Sequence, residues 1–315
     1  MPNNLIFNHI FSQRYDLNTL NLFSRSTAIY LIITFSSIML AYILMNSFWK
    51  WFRKDKYKGV RFTTKNIAYI TMLSSVSVVA TIIVSITIPI TVLPPIRIAF
   101  EGLMIKITGY MFGPIIGIIC AAVTDILVML FVPSYISIYY MFCIIFTGFL
   151  AGIAGIFKVK LKDYPWVIFA LINFFIIFFA GDGMYIVISG KQSSYSMSGI
   201  IVNKYVLASI MGSGGIIGLL SIYSVLFYYL LKKEIYRIKE ILPIILLAVV
   251  AEYVTTVLIA SYADMTLFDP NAKDYGVTAI MRIVQAPLKI IINSIIIYVT
   301  WRTVNPLINI DNNNY

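Results

Sequence analysis

The chain has 315 residues, of which 60% are hydrophobic and 12% charged, and its mean hydropathy is +0.89. A water-soluble domain of this length has no interior large enough to hide so much apolar surface, so composition excludes the ordinary soluble classes and indicates an all-α polytopic membrane protein. The net charge of +11 does not indicate nucleic acid, because the cations gather in short connections beside apolar runs, where anionic membrane lipid is the simpler partner.

The first 27 residues are polar to mixed and lack the short apolar core and small-residue cleavage site of a secretory signal. Nine apolar runs follow, at 28–48, 67–89, 99–112, 114–132, 138–157, 164–181, 204–231, 240–261 and 277–301. They are continuous rather than alternating, which argues for helices and against a β-barrel. Seven of the 24 Lys and Arg residues fall within 50–65, three within 158–162 and four within 232–239. If each run crosses once, all three clusters lie on one side, the cytoplasmic one by the bias of basic loops. The opposite side then receives 90–98, 133–137, 182–203 and 262–276, the last with Asp264, Asp269 and Asp274 against Lys273. The N-terminus is expected outside. Residues 49–66 interleave Trp49, Trp51, Phe52, Tyr57 and Phe62 with basic side chains, which suits either an amphipathic surface segment or an ordinary cytoplasmic loop.

The stretch PPIRIAFEGLMIKITGYMFGPIIGIICAAVTDIL, residues 94–127, places Arg97, Glu101, Lys106 and Asp125 among lipid-compatible residues. Charges at such depth are costly and normally face a cavity, a partner or the interface. Gly109, Gly113 and Gly117 recur every four residues, and Pro114 after Gly113 predicts a turn between two helices. The same spacing returns at Gly148 and Gly152, followed by Gly155, and at Gly214 and Gly218, and it predicts close helix packing. Arg97 and Glu101, four residues apart, either pair on one helical face or leave the guanidinium free to grip a carboxylate. Lys106 is expected to snorkel to an interface. Asp125 requires a donor from a ligand or from a residue such as Arg282. Tyr135 and Tyr139 suit either interface anchoring or stacking on a flat heterocycle. On the last run, Arg282, Gln285 and Lys289 interrupt apolar residues, with Arg282 and Lys289 sharing a face and Pro287 loosening the backbone between them.

The stretch from Leu93 to Asp125, with its FGPIIG turn and an aspartate eight residues beyond it, resembles the substrate-binding S component of energy-coupling factor (ECF) vitamin transporters. FTGFLAGIAGIF (146–157) and MRIVQAP (281–287) are similar to later helices of that family, and the pattern is closest to its folate-type members. The resemblance covers roughly half the chain. It implies a six-helix bundle that captures a small-molecule vitamin from outside and docks on an ECF transmembrane coupling subunit driven by two ATPase subunits. The placement of charges and tyrosines towards the outer side makes Arg97, Glu101, Asp125, Tyr135, Tyr139 and Arg282 the candidate substrate contacts. Docking on the coupling subunit would use small residues of the first family helix, here Ala68, Ser74, Ser75 and Ala80.

The implied organisation is an N-terminal tail and extra helix (1–48), a basic linker (49–66), family helices one to four (67–157), an inserted pair (158–239), and the last two helices with the tail (240–315). The expected location is the cell membrane, crossed several times. Cys120 and Cys143 lie in apolar runs and His9 stands alone, so neither a zinc ligand set nor a catalytic constellation is predicted, and no cofactor is expected. Three alternatives remain open: a self-sufficient secondary transporter, an S component for another vitamin such as riboflavin, and an assembly subunit without a ligand.

Overall fold

The computed structural model describes Ser37, Leu40 and Leu44 and residues 64–87, 102–131, 138–161, 163–190, 193–197, 200–263 and 275–312. The chain divides into two units, Met1–Tyr57 and Lys58–Tyr315. In the first, the three described residues are helical. The predicted linker and the expected contacts of Arg97, Glu101 and Tyr135 fall outside the described residues.

The second unit is built from α1 (Thr64–Thr87), α2 (Leu103–Phe112), α3 (Pro114–Phe131), α4 (Ile138–Lys160), α5 (Pro165–Ser189), α6 (Lys204–Leu231), α7 (from Ile235) and α8 (Tyr275–Asn312). Two short strands, β1 (Ser194–Met197) and β2 (Ile200–Asn203), form an antiparallel hairpin between α5 and α6. Five helices are long and apolar enough to cross a membrane: Tyr139–Val159, Pro165–Ser189, Lys204–Leu231, Ile235–Ala263 and Thr278–Val304. The protein is therefore, in its described span, a predominantly helical, multi-pass membrane protein. The apolar stretches of α1, α2 and α3 are shorter. α2 spans only about 15 Å at 1.5 Å per residue, and nearly all its side chains are buried in protein rather than offered to lipid.

Gly113 makes the turn between α2 and α3. Its φ of 96° and ψ of 175° lie in a region closed to residues with a Cβ, and Pro114 then opens α3 where no N–H is needed. The predicted glycine contacts form. A Cβ on Gly109 would stand 2.6 Å from the Gly148 carbonyl oxygen and 2.8 Å from the Ala151 Cβ. On Gly117 and Gly148 it would strike the other residue's carbonyl, on Gly152 the backbone of Gly113 and Pro114, and on Gly155 the Tyr110 carbonyl. These glycines let the α2–α3 turn lie backbone to backbone against α4, the close approach that drives helix association in lipid. Gly214 and Gly218 serve differently. A Cβ on either would stand 3.4 and 3.7 Å from the Pro287 ring, ordinary contact distances, so α6 passes the proline of α8 without the backbone contact seen at the other glycines.

α8 remains helical through Pro287 rather than breaking there. α5 also outruns its predicted end at 181, continuing through Gly181, Asp182 and Gly183 to Ser189. Gly183 sits against Met211 of α6 and Ile283 of α8, so packing overrides the low helix propensity of the glycines. The loop expected at 182–203 is instead the end of α5 and the hairpin, whose strands are seeded by Tyr195, Ile200, Ile201 and Val202.

α7 is the central element. In its apolar window 83% of the residues are buried, against 22% for α6, which turns most of its surface outward. The inserted pair α5–α6 is no separate body: Ile172, Ile176 and Phe179 of α5 and Leu207 and Met211 of α6 share one core with α7 and α8. At the end expected to face the cytoplasm, the Lys158 ammonium lies 3.9 Å over the Trp301 ring, with Tyr110 edge-on to that ring. A lysine held this way keeps its stem in the apolar layer and its charge on an aromatic face.

Candidate functional site

α7 changes to π-helical geometry from Ala251 to Ile259. A π turn bonds i to i+5, so its junctions with α geometry release carbonyl oxygens from their usual partners. Side chains from neighbouring helices bond carbonyls of this stretch. Cys143 Sγ on α4 donates to the Thr255 carbonyl at 3.2 Å, and Arg282 Nη1 on α8 donates to the Thr256 carbonyl at 3.1 Å. Tyr275 Oη donates to the Leu258 carbonyl at 3.0 Å, which fastens the start of α8 to the same stretch. On α5, Phe179 stacks on Tyr253 with ring centroids 4.6 Å apart.

Glu252, the second residue of the π stretch, is fully buried and lies 3.3 Å from Lys289 Nζ of α8, itself 6% exposed. Glu252 lies within the 29-residue apolar span Ile235–Ala263 and Lys289 within the 27-residue span Thr278–Val304, both more than ten residues from either end, so both stand well inside the hydrocarbon layer. Moving each charge there costs several kcal/mol, so the pair can persist only because each partner meets the other.

Lys106 enters the same place from α2. It is buried, and its electrostatic neighbours are Glu252, Lys289 and Cys143. Cys143 in turn lies in the fields of Arg282, Lys106 and Glu252. Asn293 is buried one turn beyond Lys289 on α8. Four helices thus bring ammonium, guanidinium, carboxylate and thiol groups into one electrostatic neighbourhood in the interior. The expectation that Lys106 snorkels is overturned. α2 is enclosed by its neighbours, and the lysine turns inward to the field of Glu252 instead of reaching an interface.

Of the residues expected to touch substrate, Arg282 belongs to this group, with its Nη1 engaged by the π stretch. Asp125 is buried on α3 and is not among the electrostatic neighbours of Lys106 or Cys143. Tyr139 is exposed at the start of α4, its ring edge-on to Tyr262 at 5.2 Å. On α1, Ala68 and Ser75 face outward with Met72, Val79 and Ile83. Ser74 and Ala80 are half-buried, and Ser74 Oγ lies 3.1 Å from Cys120 Sγ of α3, so the small residues expected at a docking face divide between two sides of the helix. Glu252 and Asn293 were not anticipated. Glu252 was legible by the reasoning applied to Asp125, since it too is a lone acid within an apolar run.

No family model matches the chain. No solved structure matches it. Among curated proteins, it is 40% identical over 60 residues to a Mycoplasma pneumoniae protein described as "Uncharacterized protein MG098 homolog". That stretch is 19% of this chain and 12% of the relative's length.

Proposed function

We propose that the chain is a vitamin-binding subunit in the cell membrane, of the S-component kind. It would capture a solute from outside and deliver it through a transmembrane coupling subunit driven by two ATPase subunits. The observation that carries this reading is the polar group at mid-depth, where Lys106, Glu252, Arg282 and Lys289 converge from α2, α7 and α8. Ionisable side chains buried at that depth are functional sites by default, because lipid-facing structure gives no reason to retain them. The glycine-packed α2–α3–α4 unit supplies a rigid wall beside the group, and the resemblance of residues 93–125 to S components lies within that unit. Folate is the first ligand to try, its carboxylates suiting the cations and its flat ring the aromatic and polar groups. The outward face of α1, with Ala68 and Ser75, is the natural place for the coupling subunit to rest.

A second reading, an ion-coupled secondary transporter, draws on the Glu252–Lys289 pair beside a π-helical stretch, since broken helix geometry at mid-depth also serves ion pathways. Isothermal titration of the purified chain against folate, riboflavin, biotin and thiamine separates the possibilities. One vitamin is expected to bind in the nanomolar range, folate foremost. Tight binding of riboflavin alone would reassign the ligand, and binding of none would remove the S-component reading.

A further inference from the structure

Lys232, Lys233 and Glu234 alone separate the apolar spans Lys204–Leu231 and Ile235–Ala263, so the turn from α6 to α7 stands at the membrane surface. Its backbone closes α6 in a Schellman motif. Lys233 N–H donates to the Leu230 carbonyl at 3.0 Å, and Glu234 N–H to the Tyr229 carbonyl at 3.0 Å. Such a motif needs one residue in the left-handed region, a place that glycine normally takes because it has no Cβ. Here it is Lys233, at φ 57°, and among the described residues no other residue apart from glycine has a positive φ. A long cation is thus kept where its own backbone disfavours it. Local strain of this kind points to a use for the side chain.

We infer that Lys232 and Lys233 hold the phosphate of an anionic phospholipid whose acyl chains lie along the end of α6. Both lysines are exposed. Lys232 Nζ lies 4.6 Å over the Tyr228 ring, which fixes that ammonium beside the turn and leaves its N–H donors for an oxyanion. The acid of the turn does not cancel them. Glu234 Oε2 is 2.8 Å from Arg237 Nε, which also donates to Tyr236 Oη at 2.9 Å. Arg237 thus takes up the carboxylate, and the two lysines remain as positive charge. In the adjoining turns of α6 and α7, Phe227, Leu230, Leu231 and Ile235 are exposed. A soluble anion would use the cations alone. A lipid uses the cations and the apolar side chains beside them, with tyrosines at the headgroup level. The occupant is therefore a lipid rather than free phosphate, and the site is independent of the solute-binding reading.

The test places the full chain in nanodiscs of phosphatidylglycerol and phosphatidylcholine in equal parts and reads the lipid it carries on release by native mass spectrometry. The unaltered chain is expected to retain phosphatidylglycerol in preference to phosphatidylcholine. Lys233→Gly is expected to lower that retention about fivefold, the effect of one lysine at an anionic surface. The same variant is expected to melt at or above the unaltered protein, since glycine relieves the left-handed strain. Loss of lipid without loss of stability cannot come from misfolding. Lys158→Gln removes a charge from the same expected side, but one seated 3.9 Å over the Trp301 ring, and it is expected to leave retention unchanged. Equal retention of the two lipids, or equal retention of phosphatidylglycerol by the Lys233→Gly and unaltered chains, would overturn the inference. So would an equal loss in Lys158→Gln, which would show a diffuse effect of charge instead of a site.

Discussion

Lys289→Met is expected to destabilise the purified protein by about 3–5 kcal/mol, the usual consequence of leaving one member of a buried ion pair uncompensated. Methionine nearly preserves the side-chain volume, so the loss reports the charge and not a cavity. The penalty arises at Glu252, fully buried and 3.3 Å away, whose carboxyl would be left without its counter-ion. The double variant Lys289→Met with Glu252→Gln removes both charges. It is expected to unfold closer to the unaltered protein than the single variant does, because replacing a whole buried pair is often neutral. Thermal unfolding in detergent, followed by tryptophan fluorescence, measures this directly. A single variant that melts with the unaltered protein would mean that water reaches the pair.

Gly152→Leu is expected to prevent assembly of α4 against the α2–α3 turn, whereas Gly181→Leu leaves the protein intact. Any side chain on Gly152 would meet the backbone of Gly113 and Pro114, which cannot rotate aside as a flexible side chain would. Gly113 cannot yield either, since its φ of 96° is already set by the turn. Overpacking of an ordinary core costs about 1–3 kcal/mol, and backbone against backbone places this substitution at or beyond the upper end. Gly181, also inside a helix, has open space where its Cβ would lie, and a better helix former there can add up to about 1 kcal/mol. Size-exclusion profiles and melting temperatures of the two variants distinguish the cases. Equal behaviour would show that α4 does not approach the turn as closely as the glycines allow.

The apolar runs announced every described helix from α1 to α8, because continuous hydrophobicity needs no tertiary information to be read. The Gly113–Pro114 turn and the glycine contacts between α2–α3 and α4 were equally legible, each following from the stereochemistry of single residues. Helix ends were less so. Gly181, Asp182 and Gly183 read as a break, yet α5 continues because Gly183 is needed where α6 and α8 press closest.

The site was half-legible. Arg282 stands out in the sequence and is buried within the polar group, but Lys106 reads as an interface residue from α2 alone, without the helices that enclose it. The partnership of Glu252 and Lys289 depends on how α7 lies along α8, which no pattern within either helix states. The π stretch hides it further, since one residue per turn is added and positions counted at 3.6 per turn no longer share the face they predict. Asp125 and Glu252 present the same signal, a lone acid in an apolar run, and tertiary placement alone separates the one beside Lys106 from the one outside its field.

On the proposed function, one small solute would be held by the buried group that Lys106, Glu252 and Lys289 share. Native mass spectrometry of the folate-saturated chain, released from nanodiscs beside its Lys106→Met variant, tests it most directly. One folate is expected on the unaltered chain and none on the variant. Bare chain in both spectra, or equal retention by both, would contradict it.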